Sequence, residues 1–163
     1  MSPHELACLF DAHGGPLILY ARQWCQTPDD VVQDAFIKLA ALHQRPREIV
    51  AWLYRTVRNR AIDASKASRR RKQRECAVAR PEQWFIEPEV DGLDAAAAIS
   101  AMEQLPIEQR EAIVAHLWGN LSFEQIAEVA GCSASTAFRR FGAGIDALRQ
   151  VLGVSCLKNS PNS

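Results

Sequence analysis

A chain of 163 residues with 48% hydrophobic and 23% charged side chains is enough for one ordinary domain or two small ones, and it excludes wholesale disorder. No apolar run approaches the roughly 18–20 residues of a membrane span, and MSPHELACLFDAHGG lacks the pattern of a signal peptide, so a cytoplasmic protein is expected. The formal charge of zero sums opposed blocks: residues 45–80 hold 12 basic and 3 acidic side chains, residues 81–128 hold 1 and 10.

In chain order, every patterned segment reads as helix. Residues 5–26 carry an apolar face of Leu6, Leu9, Phe10, Leu17, Ile18, Tyr20, Ala21 and Trp24, and Gly14-Gly15-Pro16 predicts a break or a re-capped start. Thr27-Pro28-Asp29-Asp30 signals a new helix, with a capping Thr and acids at the positive dipole end. That helix sets Val32, Ala35, Phe36, Leu39 and Leu42 on one side and Asp30, Gln33, Asp34 and Lys38 on another; Arg45-Pro46 closes it. Residues 48–74 follow. Ile49, Leu53, Val57, Ala61 and Ala64 form an apolar ladder, and Arg55, Arg58, Asn59 and Lys66 lie opposite. The segment ends in Arg69, Arg70, Arg71, Lys72 and Arg74, with Trp52 and Tyr54 nearby, a pattern that suits a polyanion, an RNA or a membrane surface.

Residues 75–94 are rich in Pro and acids and read as a linker, with Trp84-Phe85-Ile86 as an apolar island that packs on a neighbouring domain. Helical pattern resumes with DAAAAISAMEQL and IEQREAIVAHLWGN, stopped by Gly119-Asn120. Ser122 and Gln125 form a capping box for FEQIAEVA, Gly131 turns the chain, and Ser133 caps a last helix with Ala137, Phe141, Ile145, Leu148 and Leu152 inward. Two short helices about a Gly turn, with small Ala127 four residues before it, make a helix-turn-helix pattern that an ordinary helical hairpin can imitate. The fold class is all-α: two small helical domains, 4–74 and 95–152, joined by the acidic linker 75–94 and followed by a mobile tail, 153–163. Phosphate-cradling, zinc-protease and serine-hydrolase motifs are absent, and the five cysteines and four histidines are scattered singly. No catalytic residue, metal or cofactor is expected.

DDVVQDAFIKLA, EIVAWLYRTVRNRAIDASKASRRR and LPIEQREAIVAHLWGNLSFEQIAEVAGCSASTAFRRF, in that order, resemble the two domains of extracytoplasmic-function sigma factors, small members of the sigma-70 family. The resemblance covers about residues 5–74 and 95–152. It implies a subunit that carries core RNA polymerase to a promoter and helps open it, with the β′ clamp, the β flap, promoter DNA and an anti-sigma factor as partners. Asp30, Gln33, Asp34 and Phe36 match the segment that docks on the clamp, Phe36 serving either as anchor or as core. Trp52, Tyr54, Arg55, Arg58, Asn59 and Asp63 match the part that melts and reads the minus-ten element, Trp52 again being divided between base contact and core. Arg69, Arg70, Arg71, Lys72 and Arg74 would hold phosphates without reading sequence. Ala134, Ser135, Thr136, Arg139 and Arg140 match the recognition residues for the minus-35 element, beside Ser133 as N-cap.

Phe141-Gly142-Ala143-Gly144-Ile145-Asp146 departs from the basic run that many members carry there, and its two glycines mark a bend or a close contact. Two other readings stay open: a free-standing helix-turn-helix regulator, and an interaction protein on a degenerate sigma fold. The opposed charge blocks further suggest that the acidic segment 81–128 folds onto 45–80 and masks it.

Overall fold

The computed structural model describes residues 2–75 and 93–152, with the backbone alone at 72, 74–75 and 93–96. These form seven helices: α1 (Pro3–Ala21), α2 (Pro28–Ala41), α3 (Ile49–Glu75), α4 (Leu93–Gln104), α5 (Ile107–Leu117), α6 (Phe123–Ala130) and α7 (Ala134–Val151). No strand occurs among the described residues, and no helix is long and apolar enough to cross a membrane. The expected linker, its Trp84–Ile86 island and the tail lie, apart from their edges, outside the described residues.

Helix α1 starts on a reciprocal capping box, Ser2 accepting from the Glu5 N–H while the Glu5 carboxylate accepts from the Ser2 N–H. It then runs unbroken through Pro16, against the expected break. A proline ring crowds the Cβ of the residue before it, and here that residue is Gly15, which has none and faces open space. The missing N–H is a single lost bond in a helix held by Leu17, Tyr20 and Ala21, all fully buried. Thr27 occupies the N-cap of α2 but makes no side-chain cap bond, so Pro28, Asp29 and Asp30 carry that start.

The apolar ladder of α3 is as its spacing predicts: Leu53, Val57 and Ala61 are fully buried, with Ile49 and Ala64 partly so. Ser122 and Gln125 make the predicted capping box on α6. Gly131 takes the left-handed conformation, φ 68°, that closes α6, and Ser133 caps α7 through the Thr136 N–H. The paired glycines of α7 divide. A Cβ on Gly144 would lie 2.7 Å from Ile113 Cδ1 and 3.2 Å from Gln109 Cβ, so Gly144 lets α7 close onto α5. Gly142 faces open space.

Helices α1–α3 form one helical unit and α4–α7 another, yet the two share a single core. Helix α5 packs on α1, and α6 lies along the first half of α3. That contact decides what the site can reach.

Candidate nucleic-acid interface

Glu48, the residue just before α3, and Arg55 and Arg58 in its first half each meet the second unit. Gln125 Nε2 of α6 donates to Glu48 Oε2 at 3.0 Å. Arg55 pairs with Glu128 of α6 at 3.1 Å, an exposed bridge of small energetic weight. Arg58 Nε donates to Glu111 Oε1 of α5 at 2.6 Å, and the Tyr20 hydroxyl of α1 donates to the same oxygen at 2.6 Å. Glu111 is only 3% exposed. Burial opposes the Arg58 charge, but the hydrogen bond and field of Glu111 outweigh it and leave the guanidinium more basic than usual. Burial, reinforced by Glu111, pushes the Tyr20 hydroxyl well above the ordinary phenol range and keeps it a donor. The Arg58 guanidinium also stands 5.8 Å from the centre of the Trp24 ring.

Behind this row, of the two aromatics expected near bases, Tyr54 is inside and Trp52 is half-buried. Tyr54 is fully buried, edge-on to Tyr20, with ring centres 4.8 Å apart, so in this arrangement it is a core residue. Its hydroxyl has no hydrogen-bond partner among the described residues. Burial alone raises its pKa well above the ordinary phenol range. A Cβ on Gly119 would lie 2.6 Å from that hydroxyl, so the bare glycine lets the end of α5 approach α3. Trp52 is half-buried and packs on the core. Asn59 and Asp63 are exposed.

The second half of α3 is open. Arg69, Arg70 and Arg71 are exposed and make no ion pair among the described residues. The side chains of Lys72 and Arg74 lie outside them. Beside this end a groove of about 280 Å³ is lined by polar Thr27, Ser65, Ser68, Arg69 and Arg71, with Trp24 and the smaller Cys25, Ala64 and Ala67. The expected mask therefore covers the first half of α3 through Glu111 and Glu128, while the acids of 82–91 lie outside the described residues.

Helix α7 faces solvent where α3 does not. Ser135 and Arg139 are exposed, and Ala134, Thr136 and Arg140 are partly so. Arg139 Nη2 donates to Thr136 Oγ1 at 3.3 Å, and neither Arg139 nor Arg140 is in a salt bridge among the described residues. Phe138 stands 59% exposed beside them, its ring edge-on to Phe123.

On α2, Asp30, Gln33 and Asp34 are exposed, with Asp34 bonded to Arg60 at 3.0 Å. Phe36 is not on that face: it is 4% exposed and packs edge-on against Phe10. Ile37, 67% exposed, lies four, three and seven residues on from Gln33, Asp34 and Asp30, so it is the apolar side chain among these polar ones.

Sequence reading missed Tyr20, Glu111, Gly119, Ile37 and Phe138. Glu111 left a signal: it falls between Ile107 and Val114 on one helical face, a carboxylate in an apolar stripe that needs a buried cation. Three described cysteines are free thiols, with burial raising the pKa of Cys25. No cluster that could hold a metal occurs among the described residues.

Comparison with known proteins adds an independent line. The family model for Sigma-70 region 2 matches residues 9–74, and that for Sigma-70, region 4, matches residues 95–145. The chain is similar in structure to the sigma factor RpoE from Bartonella quintana, solved with the anti-sigma factor NepR, at a TM-score of 0.73 and 22% identity over 91% of this chain and 96% of that one. It is also similar to CnrH, solved with the cytosolic domain of CnrY, at a TM-score of 0.64 and 25% identity over 94% and 91%. No curated protein matches the chain significantly in sequence.

Proposed function

Since this chain belongs to the sigma-70 family, in the two-region form of extracytoplasmic-function sigma factors, and serves as a sigma factor for core RNA polymerase at promoters, we propose how its helices divide that work. The exposed face of α2, with Asp30, Gln33 and Asp34 around Ile37, docks on the β′ clamp. Ile37 is the anchor, and Phe36 supports it from inside. Arg58 and Asn59, with Arg55 and Asp63, meet the opened minus-ten strand. Trp52 and Tyr54 hold the helix that presents them. Arg69, Arg70, Arg71, Lys72 and Arg74 hold phosphates. Ala134, Ser135, Thr136, Arg139 and Arg140 enter the major groove of the minus-35 element, the small residues allowing approach and the arginines forking onto guanine.

The observation that carries this reading is the α3 face. Arg55 and Arg58, one turn apart, each hold a carboxylate, the protein group nearest in charge and shape to a phosphate. The protein works in the cytoplasm without catalytic chemistry of its own. The 4–74 and 95–152 units act as its two promoter-reading domains, the second also meeting the β flap. An anti-sigma factor is a partner by analogy with the RpoE complex.

Run-off transcription with core polymerase and a promoter library is the test. A promoter-selective product that depends on this protein is expected. No such product together with no binding to core would overturn the reading.

A further inference from the structure

Of the acids among the described residues, Glu111 is the one that is buried. It sits on α5, in the second unit, but both of its hydrogen-bond donors, Tyr20 and Arg58, belong to the first. We propose that Glu111 is an internal latch. In the free protein its carboxylate takes the place of a nucleic-acid phosphate at Arg58 and holds the second unit closed over the base-facing half of α3. This rests on the reading of α3 as the strand-binding helix.

Three observations carry the latch beyond one ion pair. The contacts at Arg55 and Arg58, three residues apart on one face of α3, and at Glu48 just before the helix make closure cover that face as a unit. The cover includes two carboxylates held by guanidiniums one helical turn apart, a row of anions laid along a cationic helix. The packing behind it is incomplete, because the Tyr54 hydroxyl is buried beside Gly119 without a partner among the described residues. Opening returns that hydroxyl and the Glu111 charge to water, so closure is reversible rather than a permanent part of the core. Among the described residues nothing covers Arg69, Arg70 and Arg71, which can capture a strand first. The latch opens when core polymerase or a captured strand supplies what Arg58 gives up.

The test uses the full chain. Small-angle scattering at low salt reads compactness, and anisotropy of a fluorescein-labelled oligo-dT strand reads access to α3. Glu111→Gln is expected to enlarge the radius of gyration and to tighten strand binding about tenfold, the gain when a closed state leaves only about a tenth of molecules competent. Glu108→Gln, the same charge change at an exposed site of the same helix, is the control and should shift binding less than about twofold, within surface screening. Arg58→Glu and Glu111→Arg should each expand the chain, and the double exchange should restore the parent's radius. That rescue keeps the test valid should Glu111→Gln fold poorly.

A Glu111→Gln protein as compact as its parent, with the same strand affinity as Glu108→Gln, would overturn the latch. So would an exchanged pair that stays expanded. Expansion with no gain in strand binding would instead support the latch and overturn α3 as the strand-binding helix.

Discussion

Helices α3 and α7 carry similar chemistry, arginines beside small polar residues, to two ends of the molecule, but they hold it in different states. On α3 the guanidiniums of Arg55 and Arg58 are already engaged by carboxylates of the other unit, and Tyr54 beside them is packed inside. On α7, Arg139 and Arg140 meet no carboxylate among the described residues, and Phe138 is exposed. A duplex-reading helix can remain open, because groove binding needs no prior separation of strands. A helix that handles unpaired bases offers a cationic surface that any polyanion would occupy. In the proposed reading, covering it until polymerase is present would restrict it to promoters.

If α3 is built from the core outward and α7 from the surface inward, substitutions on the two should separate. The largest difference is expected for Leu53→Ala against Phe138→Ala. Leu53 is fully buried, so its truncation should lower the unfolding free energy by about 2–5 kcal/mol. Phe138 is exposed, and its loss should stay within about 1 kcal/mol. Urea denaturation reads both. Next comes Arg58→Ala, which leaves the Glu111 carboxylate with Tyr20 alone. A loss of about 2 kcal/mol is expected, at the low end because opening returns Glu111 to water. Arg140→Ala should stay within about 0.5 kcal/mol while abolishing minus-35-dependent transcription.

Within α7 the two glycines sharpen the contrast. Gly144→Ala forces a methyl against Ile113 and Gln109 and should destabilise by about 1 kcal/mol net of its better helix propensity. Gly142→Ala, in open space, should stabilise by up to about 1 kcal/mol. Opposite signs in thermal melts are the result to look for. The smallest effect concerns the start of α1. Bonds from the Ser2 N–H and Arg45 lower the Glu5 pKa from 4.5 to about 2. A lowered carboxylate pKa stabilises the fold above the unfolded value and loses that contribution as pH falls through the folded one. The difference in stability between parent and Glu5→Gln should therefore be full above pH 4.5 and vanish toward pH 2.

Much of this fold is legible in the chain. Spacing alone gives the α3 ladder, the Ser122–Gln125 box, the Gly131 turn and the Ser133 cap, because each depends on residues within a turn or two of one another. The unbroken α1 was less visible: Pro16 argues for a break, and its tolerance depends on the Cβ missing from Gly15. The Ser2–Glu5 box has the recognisable S-x-x-E spacing. Phe36, divided in sequence between anchor and core, packs in the core, and Tyr54, matched to the base-handling part, is buried too. A motif match says which helix does a task, and burial then decides which of its side chains touch the partner. The latch was only half visible. Opposed charge blocks suggest a masking contact, but that Glu111 meets Arg58 and Tyr20 depends on pairings 53 and 91 residues apart. No local pattern encodes those.

The most direct test of α3 as a covered melting helix is the distance between α3 and α6, read by site-specific spin labels at Lys66 and Glu124, in the free chain and in the complex with core polymerase. A distance set by the closed packing of α6 on the first half of α3, which lengthens when core binds, before any DNA is added or when a promoter opens, is the predicted result. The same closed-state distance in a complex that opens promoters would contradict it.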